Sequence, residues 1–184
     1  QACVAKGPIV QEFSQILSSN IAQTYRLYRT PSLPKPAIRN SQFVEHITTV
    51  QSEPGQEIIA RFDTDISNGR TMYTDSNGAW RMKRTIAQRW SDSSQPHGGS
   101  NGTIQAGNYY PAVYTAAIAD RNFNRTFALL LDRSTGVTSS FPGSLEAMLQ
   151  RNTFTADHRG VNEPVNDTQR LTVRWWWGVQ YGPS

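Results

Sequence analysis

The stretch Ile21-Ala-Gln-Thr-Tyr-Arg-Leu-Tyr28 has the strict two-residue alternation of a β-strand. Ile21, Tyr25 and Leu27 would lie on one face of such a strand, and Arg26 on the other. Further stretches rich in β-branched or aromatic residues predict strands at 43–50, 57–63, 109–119, 125–132, 145–152 and 171–179. Turn-forming clusters separate them at the spacing typical of sandwiches. The sequence therefore predicts an all-β antiparallel β-sandwich with little helix, with residues 1–184 as one region.

Several connections have a local signal of their own. Residues 144–150 could form two turns of helix, but their place between turn signals favours a strand. Asn68-Gly69 predicts a hairpin turn joining Arg61-Phe62 to residues 71–73 rather than a calcium loop, because Thr74 stands where such a loop needs glutamate. Asn77-Gly78 predicts a second turn. The proline-rich residues 31–36 predict a loop that marks a subdomain edge.

Composition excludes several classes of partner. The net charge is +4, but the basic residues are scattered and do not interleave with aromatic ones, so we expect no nucleic-acid partner. The longest apolar runs, 127–131 and 173–179, are far shorter than the roughly 20 residues of a membrane-spanning helix. We therefore expect no membrane span.

Three sequons suit a glycosylated protein of the secretory route. Asn101, Asn124 and Asn166 each begin an Asn-x-Thr triplet and are candidate glycosylation sites. Cys3 has no partner within the chain, so it is either a free thiol or the partner of a cysteine on another chain. Gln1 is not an initiator methionine, and we expect the chain to come from inside a longer precursor.

The residues that could carry chemistry are few. No zinc-binding spacing of histidine and cysteine is present, so we expect no metal site in this chain. Asp132, Glu146, Asp157 and Glu163 are candidate glycosidase carboxylates by residue type only. Asp157-His158-Arg159-Gly160 suits contact with sugar hydroxyls or with a neighbouring domain's carboxylates, although an arginine pinning a loop is an equal alternative. We expect core or interdomain packing for residues 175–177, three consecutive tryptophans, rather than an exposed sugar platform.

Five strings in a fixed order resemble the C-terminal half of glycoside hydrolase family 38, the class II α-mannosidases, and most closely its lysosomal branch. They are Tyr73 to Gly78, Asn108 to Pro111, Leu130 to Ser140, Glu146 to Asn152 and Ala156 to Gly160. The resemblance covers about residues 7–178. Three positions depart from the family pattern: Arg151-Asn152 replaces paired arginines, Ala156-Asp157 replaces paired aspartates, and His158 stands where small residues are frequent.

The resemblance implies a retaining enzyme that removes α-linked mannose from N-glycans with an aspartate nucleophile, an acidic general acid and one Zn²⁺. In the family these groups lie on an N-terminal part that this chain does not match, so we expect no catalytic residue and no zinc here. Processed lysosomal members consist of associated peptides, which makes other chains of the same mannosidase the expected partners and mannose-containing glycans the expected ligands. We expect a lysosomal or secreted location.

The same resemblance implies that an arginine of this late region, Arg159 or Arg151, reaches the substrate cleft from the side. Asp157 and Tyr110 are further candidates for the cleft. The alternative is a free-standing carbohydrate-binding β-sandwich, with the tryptophan triplet or Tyr109-Tyr110 as its sugar platform.

Overall fold

The computed structural model describes residues 1–28, 42–86, 105–153 and 163–182, and in these ranges it is almost entirely β-structure. One 3₁₀ turn spans Gln105–Asn108. The strands are β1 (Ala2–Lys6), β2 (Val10–Ser18), β3 (Ile21–Tyr28), β4 (Gln42–Val50), β5 (Gln56–Asp63), β6 (Thr71–Ser76), β7 (Trp80–Thr85), β8 (Tyr110–Ala112), β9 (Thr115–Ala119), β10 (Arg125–Leu130), β11 (Thr135–Thr138), β12 (Ser144–Asn152) and β13 (Leu171–Tyr181). No helix in the described part of the chain is long and apolar enough to cross a membrane.

The strands form two antiparallel sheets of unequal width. The large sheet has nine strands in the order β1-β2-β3-β4-β13-β10-β9-β6-β7, and the small sheet has four in the order β5-β12-β11-β8. Apolar side chains from both sheets share one core, which contains Met72, Leu129 and Trp175 of the large sheet and Leu145 and Ala147 of the small one. The predicted all-β sandwich is confirmed, as is the strand at 144–152.

The hairpin predicted at Asn68-Gly69 is wrong. β5 pairs with β12 in the small sheet, whereas β6 pairs with β7 and β9 in the large sheet. The connection between them crosses from one sheet to the other, because the buried Asn68 side chain donates to the Thr71 carbonyl (2.8 Å) and accepts from the Gly143 N–H (2.7 Å). These bonds satisfy the polar groups of a buried corner and fix it to the β11–β12 turn.

The predicted strand at 109–119 is divided into β8 and β9 by one side chain. The carboxylate of Asp75 accepts hydrogen bonds from the N–H groups of Val113, Tyr114 and Thr115, each at 2.9 Å. Its other oxygen accepts from the Gly78 N–H at 2.7 Å. These bonds occupy N–H groups that a continuous strand would use for pairing. The predicted Asn77-Gly78 turn is confirmed: it closes the β6–β7 hairpin with positive φ at both residues.

Other features of the fold were missed or stay untested. Alternation did not predict β1, β2 and β7, which form much of the two margins of the large sheet. The proline-rich residues 31–36 lie outside the described residues, so the subdomain edge stays a prediction.

Candidate functional site

The candidate site is the face of the small sheet that points away from the large sheet, here called the outer face. On β5, Ala60 belongs to the core and Phe62 packs against it. Because side chains alternate along a strand, Glu57 and Arg61 lie on the opposite, outer face. On β12, Leu145 and Ala147 face the core and Glu146 lies on the other side. The cross-strand register places Arg61 opposite Glu146 and Glu57 opposite Arg151.

A β-bulge directs Arg151 to this face. By simple alternation from Glu146, residue 151 would point into the core. The β5–β12 register shifts between Met148 and Gln150, which inserts one extra residue and reverses the facing of the later residues of β12. Arg151 therefore lies beside Glu57, whose Oε1 is 2.7 Å from its Nε and 2.7 Å from a terminal guanidinium nitrogen. Both side chains are about half exposed, so the pair presents unused donors to solvent.

A second polar group lies on the same face, around the buried carboxylate of Glu146. The Tyr109 hydroxyl donates to Glu146 Oε2 at 2.9 Å, and the Arg61 Nε is 4.0 Å from Glu146 Oε1. Burial, followed by the hydrogen bond to the Glu146 carboxylate, raises the pKa of Tyr109 well above its ordinary value, so the phenol stays protonated.

The structure separates the predicted cleft residues. Arg151 lies on the outer face, but Tyr110 faces the core, where its hydroxyl donates to the Thr85 carbonyl (3.1 Å) and Arg84 stacks on its ring (5.0 Å). Asp157 and Arg159 lie outside the described residues, and so does Asn101. The contact of all four cleft candidates with substrate stays a prediction.

Other candidates have structural partners or positions. Asp132 pairs with Arg133 (3.2 Å) and accepts from the Arg174 N–H (2.9 Å), and Glu163 is exposed. Trp175 is buried and Trp177 packs on Phe62 and Phe127. The packing role predicted for these two tryptophans is confirmed, and it makes them unavailable as a sugar platform.

The described part of the chain offers no set of side chains that could bind zinc. Residues 1–28, 42–86, 105–153 and 163–182 contain no group of three His, Cys, Asp or Glu side chains placed to hold a metal ion.

Glu57 and Arg61 were not predicted as site residues, and Tyr109 was named only in the alternative interpretation, as part of a Tyr109-Tyr110 sugar platform. The only sequence signal of Glu57 and Arg61 was alternation, which shows that they share a face but not what lies beside them. The outer face combines guanidinium, carboxylate and phenol groups, which can donate to and accept from hydroxyl groups of a bound ligand.

Comparison with known proteins identifies the family. The profile described as "Glycosyl hydrolases family 38 C-terminal domain" matches residues 1–159. The chain belongs to this family. The match includes β12 and its bulge, so the outer face with Arg151 is part of the family 38 domain.

Relatives of known name agree with this membership. Lysosomal alpha-mannosidase from Bos taurus is 36% identical over 169 residues, which are 90% of this chain, and the Homo sapiens protein is 36% identical over 167 residues, also 90%. Alpha-mannosidase from Canavalia ensiformis is 33% identical over 170 residues, or 89% of the chain. The chain spans only 15% to 16% of the length of these relatives.

Proposed function

We propose that this chain is the β-sandwich part of a retaining α-mannosidase that removes α-linked mannose from N-glycans in the lysosome or after secretion. The observation that carries the proposal is the 36% identity to lysosomal alpha-mannosidases over 90% of the chain. The ordered strings agree with it, and the four that lie in the described residues fall in turns and strands of both sheets.

The proposal divides the enzyme between this chain and a partner. The nucleophile, the general acid and the zinc ion belong to an N-terminal part, which in a processed enzyme is a separate associated chain. This chain holds that part in place and contributes the outer face to the wall of the substrate cleft. Its catalytic contribution is positioning, since bound sugar is oriented by groups that do not themselves react.

Arg151 is the described residue best suited to contact sugar. The Glu57 carboxylate holds the Arg151 guanidinium from one side, because it contacts the Arg151 Nε and one terminal nitrogen. The other terminal nitrogen of Arg151 keeps its donors free for a ligand. A guanidinium held in this way loses little further side-chain entropy when it binds a hydroxyl group. Tyr109 is a weaker candidate, since its hydroxyl donates to Glu146 and can only accept a further bond.

The division of labour is tested by assaying a chromogenic α-mannoside with the isolated chain and with the whole enzyme. We expect turnover by the whole enzyme that is lost on chelation of zinc and restored by adding it, and none by the isolated chain. Zinc-dependent turnover by the isolated chain would contradict the division. A whole enzyme with no α-mannosidase activity would contradict the proposed function itself.

The role of the outer face is tested in the whole enzyme with Arg151→Ala. Loss of a charge-assisted hydrogen bond to sugar should lower kcat/KM about tenfold or more. The matched control is Arg125→Ala, which removes another partly exposed arginine paired with a carboxylate, Asp65 at 2.6 Å. Equal activity of the two variants would show that Arg151 does not contact the substrate.

A further inference from the structure

The large sheet is wider than the small sheet that covers it, and one face of its first three strands is left open. The cross-strand register runs Val4, Phe13, Tyr25, His46 and Trp175, each opposite the next. Directly opposed residues share a face, and Trp175 is buried in the core. The faces of β1–β3 that carry Val4, Phe13 and Tyr25 therefore continue the core side of the sandwich. We call this surface the β1–β3 inner face.

The small sheet stops before it reaches this surface. β5 is its marginal strand, and the Phe62 ring meets the His46 ring at 6.0 Å in an edge arrangement. Beyond that contact, the Tyr25 ring stacks on the His46 ring with their centres 4.4 Å apart, and the centre of the Phe13 ring lies 6.1 Å from that of Tyr25. Exposure increases along the row, from the buried His46 to 36% at Phe13 and 61% at Val4. An aromatic row thus leads from the covered core to the surface.

The β1–β3 inner face is almost free of charge. Across the described strands β1–β3, Lys6 at its margin is the charged residue on this side, and the flanking polar residues are glutamines. Gln23 accepts from Gln15 (2.9 Å) and from the Tyr25 hydroxyl (3.0 Å), so these groups satisfy one another. A shallow groove here is lined by Val4, Phe13, Tyr25, Leu27 and Val44, together with Gln11 and with Glu12 and Arg26, whose side chains pair with each other on the opposite face.

The opposite face of the same strands differs in character. It holds the Arg26–Glu12 ion pair at 2.7 Å, and Arg26 also lies 3.6 Å from Glu45. Placing ion pairs on one side and uncharged aromatic residues on the other is the pattern of a sheet with one solvated and one covered face. The centres of protein interfaces are likewise depleted of charge and enriched in aromatic side chains.

We infer that the β1–β3 inner face binds an apolar segment of the remainder of the mannosidase polypeptide. This rests on the proposed function, in which this chain is one part of a larger enzyme. The chain spans 15% to 16% of the length of its relatives, so several times its own length is available to supply that segment. The segment would complete the layer that β5 leaves unfinished, with side chains packed on Phe13 and Val4.

Hydroxyl-radical footprinting of the unmodified whole enzyme tests the inference. The matched pairs are Val4 with Val165 and Phe13 with Phe123, whose exposures in this chain are 61% and 47%, and 36% and 40%. We expect Val4 and Phe13 to react several-fold more slowly than their matched residues. Equal labelling within each pair would overturn the inference. So would protection that disappears on dilution together with dissociation of a dimer, since the occupant would then be a second copy.

A pair of variants provides a second readout. Ile16 is 55% exposed on the opposite face of β2, so Ile16→Asp is the control for Phe13→Asp. Phe13→Asp should raise the dissociation constant for the complex of this chain with the rest of the enzyme about thirtyfold, because an aromatic anchor of the interface is lost. Equal behaviour of both variants would overturn the inference. An active α-mannosidase with a freely labelled Phe13 would refute the inference and leave the proposed function intact.

Discussion

At the scale of single residues, Asp75 organises the part of the sandwich where β6, β8 and β9 meet. Its buried carboxylate accepts four backbone N–H groups from two separate segments. Burial alone would raise the pKa of Asp75, but these donors outweigh it and hold the pKa below its ordinary value. The stabilisation is therefore complete above that ordinary value and lost as the pH falls through the lower, folded one.

Asp75→Ala should lower the free energy of unfolding by at least about 3 kcal/mol, because it leaves four N–H groups without their acceptor. Asp65→Ala is the control, since the Asp65 side chain is 85% exposed. This change should lower the free energy of unfolding by less than about 1 kcal/mol. Equilibrium urea unfolding measures both. Equal losses would show that the Asp75 hydrogen bonds are replaced by water.

His46 makes stability depend on pH in the mildly acidic range. Burial lowers its pKa from 6.5 to about 4, and its surroundings include Tyr25, Phe62 and Thr48, none of which is charged. In the unfolded chain His46 takes up a proton below about pH 6.5, whereas in the folded chain it does so only near pH 4. Stability should therefore fall as the pH drops through this window, by up to about 3 kcal/mol in total.

The measurement is urea unfolding at a series of pH values for the wild type and His46→Phe. The phenyl ring can keep the stacking on Tyr25 but cannot titrate, so the variant should lose most of the slope between pH 6.5 and 4. An unchanged slope would assign the pH dependence to other groups.

At the scale of elements, the corner between β5 and β6 is held by the turn that precedes β12. The Gly143 carbonyl accepts from both the N–H and the hydroxyl of Thr64, each at 2.8 Å. Gly143 has a φ of +80°, and a Cβ there would collide with the Thr64 carbonyl oxygen. Since that oxygen belongs to backbone, it cannot swing aside.

Gly143→Ala should therefore destabilise the fold by about 3 kcal/mol or more, through both the collision and the left-handed backbone. Gly69→Ala is the matched control, because Gly69 has a φ of +60° but open space where a Cβ would be. That change should cost only the backbone penalty of about 1 to 2 kcal/mol. Thermal or urea unfolding compares them, and similar values would show that the Thr64 carbonyl relaxes away.

At the scale of the whole molecule, the surfaces of the sandwich fall into three kinds. The outer face is polar and is proposed to line a cleft, and the uncharged β1–β3 inner face is proposed to bind the rest of the enzyme. The third kind carries the sequons, where Asn124 lies at the end of the β9–β10 turn and Asn166 precedes β13, both exposed.

We expect Asn124→Gln and Asn166→Gln each to remove one glycan when the protein is made in a secretory host, as measured by intact mass before and after deglycosylation. Asn122→Gln is the control, since Asn122 is exposed in the same turn but begins no sequon. An unchanged mass for either sequon variant would show that this site is unoccupied.

The sequence by itself determined the fold class, the family and the faces of the regularly alternating strands. Alternation is a local property, so the strands at 21–28, 43–50, 57–63 and 171–179 could be predicted closely, and the ordered strings identified family 38. Only the tertiary structure decided which strands pair. Asn68-Gly69 has the chemistry of a hairpin turn, yet the contacts of Asn68 with Gly143 and Ser139, more than 70 residues away, direct the chain into the other sheet.

The candidate site shows the same division. The sequence singled out Arg151 through a resemblance, but alternation alone would have pointed it into the core. One inserted residue in β12 places it beside Glu57, which is 94 residues away in the chain. Bulges and sheet registers depend on long-range packing and hydrogen bonding, which local periodicity does not encode. For that reason the polar outer face and the open β1–β3 inner face became visible only in three dimensions.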